Sequence, residues 1–118
     1  MRESSNELGP PGRLLAALEQ LAATIDARAG ASPEASYTAE LLRGGPAKCA
    51  KKLGEEAVEL AIALVSQSDA HSASETADLL YHVLVALRAK GVPLDAVAEA
   101  LIARQGMSGL AEKASRPD

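Results

Sequence analysis

PAKCAKKLGEEAVELAIALVSQ, residues 46–67, decides the fold. Its 22 residues hold no internal proline and are dominated by Ala, Leu, Glu and Lys, the strong helix formers. Pro46 suits the first position of a helix, where a missing N–H costs nothing. The apolar residues run almost all round the cylinder, so this helix belongs at the centre of an assembly. A polar gap, residues 66–74, follows. A second helix of the same apolar character starts near Ser72 and runs to about Lys90, with Gly91 as a natural residue just past its end.

Shorter elements flank this pair. Leu14, Leu18, Leu21 and Ile25 recur at helical spacing and predict a first helix over residues 13–28. Residues 29–36 hold Gly, Ser and Pro and read as a loop. Residues 37–43 form a short helix with Ser36 as its N-cap, and Gly44-Gly45-Pro46 breaks the chain before the central helix. Pro93 opens a further helix with Leu94, Val97, Ala98, Leu101 and Ile102 on one face, ending at residues 106–109, and residues 110–115 hold one more turn. No strand alternation and no repeat is present. The expected fold is all-α: an antiparallel bundle of four to five helices joined by short loops. Two helices apolar all round are too much for so few partners, so a second copy is expected to complete the bundle as a homodimer.

Composition narrows the function. The chain has 118 residues, 47% hydrophobic, with no Phe, no Trp and two Tyr. One domain is expected, over residues 13–116, with residues 1–12 as a flexible lead-in. The net charge of −4 and the lack of any basic run argue against nucleic acid as a partner. No apolar stretch approaches the about 20 residues that span a membrane. Glu3 and Glu7 make the N-terminus unlike a signal or transit peptide. With Cys49 as the only cysteine, the chain has no internal disulfide, and the cytoplasm is the expected compartment.

The chemistry-bearing residues lie in the two central helices. Glu56 and Glu59 share one helical face, and Glu55 joins them; Glu75 and Asp78 have the same i, i+3 relation. If the helices pack antiparallel, two acidic pairs face each other. Two such charges about 6 Å apart repel by roughly 3 kcal/mol at an effective dielectric near 20. A hard divalent cation, Mg²⁺ or Mn²⁺, removes that cost. The plain alternative is a solvated acidic face, and Ser72-Ala73-Ser74-Glu75 fits a capping box that would explain Glu75 locally. Against it, these acids sit in the most apolar helices, and none has a Lys or Arg four residues later. Lys48, Lys51 and Lys52 crowd the start of the same helix, where cations are unfavourable unless an anion binds there; an ordinary solvated basic turn is the alternative. The Gly44-Gly45 pair lacks the P-loop spacing. His82, one turn beyond Asp78 on the acidic face, reads as a hydrogen-bonded core histidine, with the orienting of a ligand or a water as the alternative; His71 reads as an exposed loop residue, Cys49 as packing, and Tyr37 and Tyr81 as core or rim rather than base-stacking platforms. Arg104, Lys113 and Arg116 are either an anion-binding tail or solubilising charge.

Glu55-Glu56-x-x-Glu59 followed by Glu75-x-x-Asp78 resembles the metal motif of the all-α NTP pyrophosphatase (MazG-like) superfamily. Ser36-Tyr37-Thr38-Ala39, Gly44-Gly45-Pro46, residues 51–59, Asp78-Leu79-Leu80-Tyr81-His82 and residues 108–116 narrow the resemblance, which spans residues 14–116, to the phosphoribosyl-ATP pyrophosphatase family. The resemblance implies a dimeric, Mg²⁺-dependent enzyme that hydrolyses phosphoribosyl-ATP to phosphoribosyl-AMP and pyrophosphate, the second step of histidine biosynthesis. It implies Glu56, Glu59, Glu75 and Asp78 as metal ligands, and Glu55 as a ligand or water-orienting base. Lys48, Lys51 and Lys52 become substrate-phosphate contacts. The first dozen residues match nothing in the family. Some relatives are fused to a cyclohydrolase domain; its zinc cysteines are absent here, so the next step is expected on another chain. Metal-assisted in-line displacement is the implied chemistry, with Glu55 or Glu59 taking the proton of the attacking water. Two other readings share these residues: a house-cleaning NTP or dNTP pyrophosphatase, and a non-catalytic helical interaction module.

Overall fold

The computed structural model describes residues 9–106 and 109–117. It is all-helical, with no strand among the described residues: α1 (Gly12–Arg28), α2 (Tyr37–Arg43), α3 (Gly45–Ser66), α4 (Asp69–Lys90), α5 (Leu94–Ala103) and a short α6 (Gly109–Ser115). The helix boundaries follow local chemistry. Ser36 is extended, and its hydroxyl accepts from the N–H of Ala39 at 3.2 Å, capping α2 as expected. The break before α3 is a single residue. Gly44 ends α2, and Gly45 takes a left-handed φ of 82°, a conformation that disfavours any side chain. Gly91 does the same at the end of α4, with φ 83°. The N–H of Val92 donates to the carbonyl of Leu87 there, the longer bond of a Schellman motif.

The connection between the central helices differs from the sequence reading. Only Gln67 and Ser68 lie outside helix, and α4 starts at Asp69. Ser68 is the N-cap, accepting from the N–H of His71 at 3.1 Å. Ser72 therefore lies inside α4, where its hydroxyl donates to the carbonyl of Ala63 across the hairpin at 3.1 Å. The capping-box reading of Ser72 and Glu75 fails, and His71 is an exposed helical residue rather than a loop one. The contacts that pair residue 63 with 72 and residue 56 with 82 fix the two helices as antiparallel.

Ile25 of α1, Leu41 of α2, Cys49 of α3 and Val85 of α4 meet in one buried cluster, with Leu21, Leu42, Tyr81 and Leu84 packed around it. Cys49 donates its thiol to the carbonyl of Leu41 at 3.2 Å, and burial pushes its pKa up, so it packs rather than reacts. Arg88 reaches Asp26 at 2.8 Å and ties α4 to α1. This core is small. Val58, Ile62, Leu64 and Val65 of α3 stay exposed, Val65 at 85%, as do Leu94, Val97, Leu101 and Ile102 of α5.

Candidate active site

The α3–α4 hairpin carries the acids. Glu56 lies near the middle of α3, while Glu75 and Asp78 lie one turn apart on α4. The antiparallel register puts all three at one level, where one carboxylate oxygen from each falls within 4.8 Å of the others. Oε2 of Glu56 and Oε2 of Glu75 are both buried without a hydrogen-bond partner. An orphaned buried carboxylate oxygen is costly; two of them on neighbouring acids of one cluster fit a cation that would satisfy both. The donor set is all oxygen, which suits a hard ion.

Glu56 shows the strain of this crowding. A hydrogen bond shared with Glu59 raises its pKa most, burial adds to that, and the charges of Glu59, Asp78 and Glu75 add further. Glu59 is not among the three carboxylates that converge; its side chain is exposed beside Glu56 and borders the cleft formed with Ile62, Gln67, His71 and Glu75. Glu55 does not join the cluster. Its carboxylate turns to Lys52 at 3.3 Å, and this pairing pushes the Lys52 ammonium up from its ordinary value. Lys48 lies 3.8 Å from Glu40 of α2, and Lys51 is exposed.

A second layer backs the acids. His82 is buried on α4, with Nε2 3.6 Å from Oε1 of Glu56. Burial lowers its pKa, and the Lys52 charge lowers it further against the raising effect of Asp78, which favours the neutral imidazole beside Glu56. His71 places Nε2 3.4 Å from Oε1 of Glu75. The hydroxyls of Thr38 and Tyr81 are 2.6 Å apart, which docks α2 on α4, and Tyr37 stacks on Tyr81 at 6.5 Å. The sequence reading placed His82 in the core but did not pair it with Glu56. The i, i+4 spacing of His82 from Asp78 was the available signal. It missed the pairing of His71 with Glu75 because it placed His71 outside the helix.

The fold and site together define an all-α protein with a carboxylate centre between two antiparallel helices and a basic turn at the entry of one of them. Comparison with known proteins narrows this class. The family model described as phosphoribosyl-ATP pyrophosphohydrolase matches residues 18–105. A protein of Caulobacter sp. (strain K31) named phosphoribosyl-ATP pyrophosphatase is 61% identical over 105 residues, covering 89% of this chain and 97% of its own length. Proteins from Rhodopseudomonas palustris, named phosphoribosyl-ATP pyrophosphatase 1, and from Ruegeria pomeroyi, named phosphoribosyl-ATP pyrophosphatase, are 58% and 57% identical over 84% and 85% of this chain and 92% and 95% of their own lengths. The chain belongs to the phosphoribosyl-ATP pyrophosphohydrolase family.

Proposed function

We propose that this chain hydrolyses phosphoribosyl-ATP to phosphoribosyl-AMP and pyrophosphate, in the second step of histidine biosynthesis. The observation that carries the chemistry is the convergence of Glu56, Glu75 and Asp78 within 4.8 Å, with two buried carboxylate oxygens left unpartnered. The relatives' names supply the substrate. A house-cleaning nucleotide pyrophosphatase would use the same acids, and nothing observed favours it.

Glu56, Glu59, Glu75 and Asp78 would hold Mg²⁺, or Mn²⁺ in its place. When bound, the ion supplies neutralisation of the phosphate charge and activation of the attacking water. The rest falls to the chain. Lys48, Lys51 and Lys52 receive the phosphate oxygens at the start of α3, where the helix dipole favours an anion. A phosphate that engages Lys52 loosens its pairing with Glu55, which together with Glu59 is then available to take the water's proton.

Residues 13–116 form the catalytic domain in this reading, and the protein acts in the cytoplasm; no described helix is long and apolar enough to cross a membrane. A second copy of the chain covers the apolar surfaces of α3 and α5, making a homodimer. The deciding assay is pyrophosphate release from phosphoribosyl-ATP, ATP and dNTPs in parallel, with Mg²⁺ and with EDTA. Magnesium-dependent release from phosphoribosyl-ATP is the expected result. Preferential release from ordinary nucleotides would overturn the substrate, and no release at all would overturn the enzyme.

A further inference from the structure

We infer that His82 is a positioning residue for the carboxylate centre: its Nε2–H holds Oε1 of Glu56 and so keeps Oε2 turned towards the cation. The inference rests on the metal reading above. The chain has two histidines, and each has its Nε2 beside Oε1 of one of the two acids whose Oε2 is buried and bare. His82 stands 3.6 Å from Glu56, and His71 stands 3.4 Å from Glu75. One oxygen facing a donor and the other left open is the arrangement that a ligating carboxylate needs from its supporting shell. The 3.6 Å separation lies just outside hydrogen-bond range and closes with a side-chain shift of about half an ångström.

The two histidines differ in how firmly they are held. His71 is half exposed near the start of α4. His82 is 5% exposed, and its ring meets Tyr81 edge-on at 5.0 Å and Tyr37 edge-on at 6.3 Å. Tyr81 is in turn fixed by the 2.6 Å bond to buried Thr38. Groups from α2 and α4 therefore set the imidazole, and the imidazole sets a carboxylate on α3. A free Glu56 side chain would lose rotamer freedom on binding a cation; one already held loses less.

The test is Mn²⁺ binding to the full chain, followed by the electron paramagnetic resonance of the free ion, for the wild type, H82M and H82Q. Methionine fills the space without a donor, whereas the glutamine amide N–H reaches close to where Nε2 lies. H82M should bind Mn²⁺ about 10- to 100-fold more weakly, and H82Q should recover most of that loss. Wild-type affinity in H82M, or equal losses in both variants, would overturn the inference, because packing alone would then explain the residue. A second measurement needs no variant. The nitrogen resonances of His82 should report the Nε2–H tautomer and move on Mg²⁺ addition; an Nδ1–H tautomer overturns the assignment. A wild type that binds no divalent cation would sink the metal reading itself, which is a different outcome from a wild type and H82M that bind equally.

Discussion

Replacing Glu56 by Gln removes one negative charge from the crowded face and changes almost nothing in shape. Oxygens of Glu56, Glu75 and Asp78 lie within 4.8 Å of one another. Each repulsive pair costs about 3 kcal/mol at an effective dielectric near 20. Asp78 is exposed, so solvent and salt screen much of this. A net relief of about 1–2 kcal/mol remains, which raises the Tm by roughly 4–8 °C for a chain of this size. With Mg²⁺ the sign reverses. At a hundred times its Kd, the ion adds about 2.7 kcal/mol to the wild type, and the variant, having lost a ligand, gains much less. Thermal melts in EDTA and in Mg²⁺ check both halves, with pyrophosphate release alongside, where turnover should fall by roughly a hundredfold or more. A variant less stable than the wild type in EDTA, with an undiminished Mg²⁺ shift, would refute the reasoning: Glu56 would then be an ordinary structural carboxylate.

The raised pKa of Glu56 also sets a pH dependence. Its folded value lies above the ordinary 4.5, so the folded state holds this proton more tightly than the unfolded one. The contribution to metal-free stability is present in full below that ordinary value and is lost as the pH rises through the folded one. The apparent affinity for Mg²⁺ should rise across the same window, because the ion displaces the proton; titrations that stay flat with pH would contradict this. Tyr81→Phe leaves the buried Thr38 hydroxyl without its partner. It should cost about 1–2 kcal/mol, read as a Tm loss of several degrees, and a loss within error would show that Thr38 finds another partner. Val65→Glu puts a charge at the most exposed apolar position of α3; sedimentation should show a dimer for the wild type and a monomer for the variant, and a monomeric wild type would remove the dimer.

Much of the fold is legible in periodicity and punctuation. The helix of residues 12–28, the cap at Ser36, the left-handed glycine at 91 and the helix after Pro93 all follow from residue chemistry that acts over one or two turns. The start of α4 does not. Ser68 and Ser72 are one turn apart and both suit a cap, and the choice falls to a distant group: the Ala63 carbonyl takes the Ser72 hydroxyl once the hairpin closes. The acids show the same limit. Spacing puts Glu55, Glu56 and Glu59 on adjoining parts of one helix, but only the docking angle of α4 selects Glu56 for the shared centre and leaves Glu55 to Lys52. The spacing from Asp78 puts His82 on the acidic face, but its partnership with Glu56 spans 26 positions and two helices and depends on how α3 and α4 dock.

The two-residue connection between α3 and α4 has a kinetic consequence. Both arms of the acid centre lie within one helical hairpin, so they meet without closing any loop to a third helix. Hairpins of this kind gain structure early, before elements that close longer loops. A rate-limiting state in which this hairpin is already closed would hold Glu56 opposite Glu75 and Asp78, with the repulsion present. A cation that relieves the repulsion stabilises that state along with the native one. Mg²⁺ should therefore act chiefly by speeding refolding, with little change in the rate of unfolding.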